Sequence, residues 1–129
     1  MQLEGIHHIA LNVRDLDRAE KFYTQVLGFK VTHRFSKGLR HLMVDTGNSA
    51  IALFEAPDLD MDAPIDTLSE TGYMHFAFKA SPDRFQEIVG ELKSKNVTLD
   101  GGPVQRGNGE SVYFNDPDGN HLEIHYDNP

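Results

Sequence analysis

The sequence predicts an α+β fold built from two βαβββ modules, and three observations support this assignment. The order of elements in the first half of the chain recurs in the second half. A histidine stands at the same place on the first strand of each half, His8 in one and His75 in the other. A segment with Pro57, Pro64 and five acidic residues separates the halves. We therefore divide a single domain of 129 residues into module one at about 4–56, a linker at about 57–72 and module two at about 73–127.

The first strand of each module alternates apolar and other residues, which assigns a face to each histidine. His8 shares its face with Ala10, and His75 shares its face with Ala77. The opposite faces of the two strands are apolar and consist of Ile9, Leu11, Val13, Phe76 and Phe78. Each histidine is therefore expected on the face that points away from the core of its module.

Capping residues place one helix after the first strand of each module. Asp15 or Asp17 caps a helix that ends at Gly28. Ser81 caps the second helix, with Pro82 at its first position. The predicted strands are 6–13, 29–35, 39–45 and 50–55 in module one and 74–78, 97–99, 111–115 and 121–126 in module two. The predicted turns of module two are 101–103 and 116–119, and a short helix is expected around 65–68.

Composition and charge exclude several classes of function. The formal net charge is −8, and no basic run interrupts the acidic background. We therefore expect neither a nucleic acid nor an anionic membrane as partner. Cysteine is absent, which excludes disulfides, thiolate metal sites and a cysteine nucleophile. No targeting signal or membrane-spanning run is recognisable, so the cytoplasm is the expected location.

Three residues could converge on one divalent metal ion. His8 and His75 lie on matching faces of the repeat, and these faces oppose each other if an approximate two-fold axis relates the modules. Glu123 lies on the last strand, on the face that also carries His121 and His125. Two imidazoles and one carboxylate leave coordination positions open, as catalytic metal sites do. The alternative is that each histidine is an ordinary hydrogen-bonded strand residue.

Several motifs make the chain resemble the vicinal oxygen chelate superfamily, which includes glyoxalase I, fosfomycin-resistance thiol transferases, extradiol dioxygenases, methylmalonyl-CoA epimerases and bleomycin-resistance proteins. The motifs are His8-Ile-Ala-Leu-Asn-Val13, Asp15-Leu-Asp17, Phe22-Tyr23, Leu27-Gly28, His75-Phe-Ala-Phe78 and Asp116-Pro-Asp-Gly-Asn-His-Leu-Glu123. The resemblance implies paired βαβββ modules that form a partial-barrel sheet around a metal cleft. It also implies His8, His75 and Glu123 as ligands of a divalent ion. Fe²⁺ or Mn²⁺ is favoured, with Zn²⁺ or Ni²⁺ as alternatives.

Departures from the family patterns rank the possible activities. Ala52 stands where glyoxalase I and the epimerases have a fourth ligand, so both rank below the members with three ligands. The segment from Tyr113 to Glu123 resembles the extradiol dioxygenases, although Arg106 replaces their upstream histidine. Pro103 replaces the lysine that the fosfomycin-resistance transferases use on their phosphonate, so this activity also ranks low for a protein with a net charge of −8. We therefore predict a metalloenzyme that is more dioxygenase-like than glyoxalase-like.

Tyr113 is the predicted catalytic residue, because its hydroxyl could donate to an oxygen of the substrate. Two alternatives to the dioxygenase-like enzyme stay open, a glyoxalase I-type lyase and a non-catalytic drug-binding protein of the bleomycin-resistance type. The roles of Arg106, His121 and His125 also stay open. The expected partner is a small-molecule substrate, and a homodimer is expected because small paired-module proteins otherwise expose sheet edges. Whether one chain or two would supply a complete site is not decided by the sequence.

Overall fold

The computed structural model describes residues 1–58 and 74–129. The chain divides into two compact units, Met1–Met61 and Asp62–Pro129. The short helix predicted around 65–68 lies outside the described residues. Each unit has the predicted βαβββ order and contains one four-stranded mixed sheet that is not closed. The prediction of an α+β fold of two βαβββ modules is therefore confirmed.

In the first unit, one helical segment covers one face of a sheet whose strand order is β1-β4-β3-β2. Strands β1 and β4 pair in parallel, and the other neighbours are antiparallel. The elements are β1 (His8–Val13), α1 (Leu16–Lys21), a π-helical turn (Phe22–Val26), β2 (Lys30–Phe35), β3 (His41–Asp45) and β4 (Ala50–Glu55).

Helix α1 begins where the sequence predicts it. The side chain of Asp15 accepts a hydrogen bond from the backbone N–H of Arg18 at 3.1 Å, so Asp15 is the N-cap. Glu55, at the end of β4, accepts from the backbone N–H of Leu16 at 2.9 Å and thereby ties the helix to the sheet. Gly28 follows the π-helical turn with φ +78°, a conformation that favours glycine and ends the segment.

Alternation along the strands separates a buried face from an open face in the first unit. The side chains of the buried face come from the sheet and from the helical segment, and they are Leu11, Val13, Leu16, Ala19, Phe22, Tyr23, Leu42, Val44, Ile51 and Leu53; Ala52 is also buried, although it lies on the opposite face. His8, Ala10 and Asn12 lie on the other face of β1 and are exposed. We call this the first open face; the register of the sheet adds Ala52, Phe54, Met43 and His41 to it.

The second unit repeats the architecture with strand order β5-β8-β7-β6, and again the first and last strands pair in parallel. Its elements are β5 (Phe76–Lys79), α2 (Phe85–Ser94), β6 (Leu99–Arg106), β7 (Gly109–Asn115) and β8 (His121–Tyr126). Helix α2 buries Phe85, Val89 and Leu92, and the sheet buries Val112, Phe114, Leu122 and Ile124. None of the helices in the described ranges is long and apolar enough to cross a membrane.

Two local predictions for the second unit are wrong. Ser81 does not cap α2: residues 82–84 form a turn, and the helix begins at Phe85 with no side-chain cap. The predicted turn at 101–103 lies inside β6, where two register shifts let the strand continue past irregular residues. Gly102 has φ +99° there, and a Cβ at this position would lie 2.5 Å from the carbonyl oxygen of Ser111. The glycine thus permits a close approach of β6 to β7 rather than a reversal of the chain.

The predicted turn at 116–119 is present and fixes the register of β7 against β8. Oδ1 of Asp116 accepts hydrogen bonds from the backbone N–H groups of Asp118 at 2.8 Å and Asn120 at 2.9 Å. Its Oδ2 accepts from the Asn120 amide at 2.8 Å. Gly119 takes φ +87°. Because this turn is tied down by one carboxylate, it determines which residues of β7 stand beside Glu123 on β8.

Candidate metal centre

His75 and Glu123 come together at one edge of the second sheet. Nε2 of His75 lies 3.2 Å from Oε1 of Glu123, and the two side chains are 31% and 11% exposed. Glu123 pairs with Ala77 across β8 and β5, and His75 immediately precedes β5. This placement agrees with the predicted shared face of His75 and Ala77.

The separation of these two atoms fits a common metal ion. Ligand atoms about 2.1 Å from an ion, at angles of roughly 90–109°, stand about 3.0–3.4 Å apart. Nε2 of His75 and Oε1 of Glu123 are 3.2 Å apart, within that interval. One imidazole and one carboxylate form an N/O donor set suited to Mn²⁺, Fe²⁺ or Zn²⁺ rather than to a metal that requires sulfur.

The second carboxylate oxygen of Glu123 accepts a hydrogen bond from a buried residue of the neighbouring strand. Oγ of Ser111, a residue of β7 with no exposed surface, donates to Oε2 of Glu123 at 2.6 Å. Nδ1 of His125 lies 2.8 Å from the same Oγ, and Nε2 of His125 lies 2.9 Å from Oδ1 of Asp127. The sequence reasoning did not single out Ser111. Strand alternation could have indicated it, because Ser111 precedes Tyr113 by two residues and therefore lies on the same face of the strand.

Tyr113 stands directly opposite Glu123 in the antiparallel pair of β7 and β8. Nε of Arg106 donates to the hydroxyl oxygen of Tyr113 at 3.1 Å, and the guanidinium carbon lies 5.7 Å from the centre of the ring. The structure thus places Arg106 beside the predicted catalytic residue. Glu123, Tyr113, Ser111 and His125 define the second open face, together with His121 opposite Asn115.

His8 belongs to the other unit. It is exposed at the start of β1, and its Nδ1 lies 2.8 Å from Nδ1 of His7. Within the described part of either unit, no three His, Cys, Asp or Glu side chains gather closely enough to hold an ion. The structure therefore brings two of the three predicted ligands together, and the contribution of His8 stays a prediction. Ala52 pairs with Ala10 and Met43 on the first open face, and none of these three side chains is a carboxylate or imidazole.

The first open face also carries a stack of rings. Phe35, His41 and Phe54 occupy neighbouring positions on β2, β3 and β4. The centres of Phe35 and His41 lie 4.4 Å apart and those of His41 and Phe54 4.3 Å apart, with interplanar angles of 8° and 12°. His33 extends the stack, 6.0 Å from Phe35. His33 and His41 therefore both belong to an aromatic array.

Two βαβββ modules in one chain define an α+β fold of paired modules, and the second module brings His75 and Glu123 together. A sequence model described as the Glyoxalase/Bleomycin resistance protein/Dioxygenase superfamily matches residues 5–124, and the chain belongs to this family. The resemblance drawn from the motifs is thereby confirmed.

Two named relatives and one solved structure are similar to this chain over nearly its whole length. Metallothiol transferase FosB of Lysinibacillus sphaericus is 31% identical over 126 residues, which cover 97% of this chain and 84% of the relative. Lactoylglutathione lyase GLX1 of Arabidopsis thaliana is 29% identical over 129 residues, covering 91% of this chain and 42% of the relative. A crystal structure of a glyoxalase/dioxygenase from Nostoc punctiforme superposes with a TM-score of 0.76 at 28% identity and covers 98% of this chain and 92% of that one. Neither the transferase nor the lyase supports the dioxygenase-like preference drawn from the sequence.

Proposed function

We propose that this protein is a metal-dependent enzyme that binds a small oxygenated substrate through a divalent ion held by His8, His75 and Glu123. The observation that carries the proposal is the approach of Nε2 of His75 to Oε1 of Glu123, at 3.2 Å. When bound, the ion would polarise substrate oxygens as a Lewis acid. A third ligand is needed to match the three-ligand pattern of open catalytic sites, and His8 is the residue that the repeat offers.

The chain's own residues suggest an anionic substrate. Arg106 is exposed, and its guanidinium contacts the hydroxyl of Tyr113. This cation lies on the second open face, although the lysine position of the transferases is occupied by Pro103. Arg106 could therefore supply the positive charge that Pro103 does not. Guanidinium groups bind carboxylates and phosphonates through charge-assisted hydrogen bonds.

Tyr113 is the proposed proton donor at this site. Its oxygen accepts the hydrogen bond from Nε of Arg106, so that bond does not use the phenolic hydrogen. The hydroxyl can therefore donate to a substrate oxygen that gains negative charge. The guanidinium beside it stabilises negative charge on the same side of the sheet.

Thiol addition to a small anionic electrophile is the reaction class that we propose. The name of a relative that is 31% identical to this chain, a metallothiol transferase, supports this choice. In the opening of an epoxide, a carbon–sulfur bond forms, a carbon–oxygen bond breaks, and the proton of the thiol is recovered on the new hydroxyl group. Isomerisation of a hemithioacetal is the second candidate, supported by the 29% identity to a lactoylglutathione lyase.

Metal analysis and a small set of substrates test the proposal. Wild type should bind about one Mn²⁺ per site, His75→Ala and Glu123→Gln should bind none, and His33→Ala should behave as wild type. Product formation should then be measured with fosfomycin plus glutathione or cysteine, with the hemithioacetal of methylglyoxal, and with catechol plus O₂. Equal, near-zero metal contents in all four proteins would overturn the proposal. If catechol plus O₂ were the only substrate mixture converted, the result would favour the predicted dioxygenase-like activity.

A further inference from the structure

The buried hydroxyl of Ser111 contacts Glu123, the candidate metal ligand on the second sheet. Ser111 is 0% exposed and occupies β7, the strand that lies between β6 and β8. A polar group that is removed from water costs free energy unless it is hydrogen-bonded. Its hydroxyl is satisfied by side chains of β8 and not by the backbone, which makes its partners informative.

The two carboxylate oxygens of Glu123 have different partners, Ser111 for one and His75 for the other. Oε2 accepts the short hydrogen bond from Ser111, at 2.6 Å, and Oε1 faces Nε2 of His75 at 3.2 Å. Because Oε2 is engaged by a neutral donor inside the sheet, only Oε1 is presented toward His75. A hydrogen bond of this length to a charged carboxylate is among the stronger side-chain contacts.

The hydroxyl is itself held from its other side. Nδ1 of His125 lies 2.8 Å from Oγ of Ser111, and Asp127 lies 2.9 Å from the remaining nitrogen of the same ring. The register places Ser111 opposite His125, and Glu123 is two residues earlier on the same strand. Polar atoms of Asp127, His125, Ser111 and Glu123 thus follow one another in a row at separations of 2.6–2.9 Å; the serine gives its hydrogen to Glu123, so Nδ1 of His125 can only donate to the serine oxygen.

We propose that Ser111 is a positioning residue that makes Glu123 a single-oxygen metal ligand, with His125 and Asp127 holding the serine in place. This inference rests on the proposed function, because it requires that Glu123 binds the ion. Partners behind a ligand orient it, and their loss typically weakens metal affinity by about 10–100-fold. Without the hydroxyl, Glu123 can rotate and offer both oxygens or neither.

The test compares the Mn²⁺ affinity of Ser111→Ala with that of Ser111→Thr, by competition with a fluorescent chelator. The alanine variant should bind about 10–100-fold more weakly, whereas threonine, which retains the hydroxyl, should recover most of the affinity. The matched control is Ser94→Ala, because the Ser94 hydroxyl at the end of α2 donates to the backbone oxygen of Glu91 at 2.8 Å and is not part of this row. The electron paramagnetic resonance spectrum of bound Mn²⁺ should change in Ser111→Ala and return in Ser111→Thr.

The outcomes separate the inference from the function on which it rests. If Glu123→Gln abolishes binding while Ser111→Ala leaves the affinity and the spectrum unchanged, the positioning role is wrong and the metal site stands. If wild type binds no Mn²⁺, the proposed function fails and the inference fails with it. If Ser111→Ala does not fold, as judged by circular dichroism, the Mn²⁺ affinity of His125→Gln is measured instead. A several-fold loss of affinity supports the positioning role of Ser111, and an unchanged affinity overturns it.

Discussion

Tyr113 and Glu123 are direct cross-strand partners, one on β7 and the other on β8. Side chains at directly opposed positions have Cβ atoms about 5 Å apart. The tyrosine and the glutamate can therefore both contact one small bound molecule. The predicted catalytic residue and the candidate ligand are thus fixed relative to each other by strand register alone. Their separate roles in proton donation and metal binding lead to different expectations for substitutions.

Tyr113→Phe should reduce kcat without changing metal content. The phenolic proton is lost, and general acid catalysis typically contributes about 10²–10⁴-fold to a rate. Stopped-time product assays on the active substrate and elemental analysis provide the two measurements. Tyr126→Phe is the matched control, since the hydroxyl of Tyr126 donates to Glu110 at 2.7 Å. A Tyr113→Phe protein with full activity would remove Tyr113 from the chemistry.

Arg106→Gln should raise KM for an anionic substrate about tenfold or more. The guanidinium is the cation placed against Tyr113, and a hydrogen bond to a charged group contributes about 1.5–3 kcal/mol. Arg106→Lys should recover part of the loss, because it keeps the charge without the planar fork. The check is KM measured at low and at high ionic strength for all three proteins. Equal KM values in wild type and Arg106→Gln would show that the substrate carries no charge at this position.

The ion pair of Glu20 and Arg34 should make part of the stability depend on pH. Two hydrogen bonds, of 2.6 and 2.8 Å, join the guanidinium to the carboxylate, and they hold the pKa of Glu20 below its ordinary value of 4.5. A carboxylate with a lowered pKa in the folded state contributes stability above its unfolded pKa and loses it as pH falls through the folded value.

Melting temperatures of wild type and Arg34→Gln test this dependence. The variant should melt slightly lower at pH 7, because a largely exposed pair contributes little. The two curves should converge at a strongly acidic pH, below the lowered pKa of Glu20 in the folded protein, where this carboxylate is protonated in both proteins. A difference that is the same at both pH values would attribute the effect to packing of Arg34 instead.

Gly102→Ala and Gly90→Ala should have opposite effects on stability. Gly102 combines φ +99° with a carbonyl oxygen of Ser111 only 2.5 Å from where a Cβ would lie, so alanine should destabilise by about 1–3 kcal/mol. Gly90 lies within α2, and a Cβ there would meet nothing within 4 Å. Alanine at that position should stabilise by about 0.5–1 kcal/mol. Urea denaturation measures both, and destabilisation by Gly90→Ala would contradict the expected gain.

Alternation along single strands was sufficient to predict much of the site. It placed His75 with Ala77 and Glu123 with His125, because side chains two residues apart share a face whatever the partner strand is. It could not reveal the contact of Ser111 with Glu123, since that contact depends on the register between β7 and β8. That register is set by the turn at Asp116, whose hydrogen bonds are a property of three-dimensional structure.

The irregular parts of the fold were predicted less well for the same reason. Gly101, Gly102 and Pro103 have the composition of a turn, yet the pairing of β6 with β7 continues across them through a bulge. The start of α2 was predicted too early, because Ser81 and Pro82 have the residue types of a cap but form a separate turn before Phe85. Local propensity does not distinguish a capped helix from a turn that precedes one.

His8 should be distinguishable from its neighbour His7 by metal-dependent stabilisation. An ion that binds only the folded protein stabilises it by about 2.7 kcal/mol when present at 100 times its Kd. Mn²⁺ should therefore raise the melting temperature of wild type and of His7→Ala. The rise should be much smaller in His8→Ala, which would lose a ligand, and absent in Glu123→Gln. His7 is the appropriate control because its Nδ1 lies 2.8 Å from that of His8, so both substitutions disturb the same contact. Equal shifts in His7→Ala and His8→Ala would leave His75 and Glu123 as ligands and exclude His8 from the site.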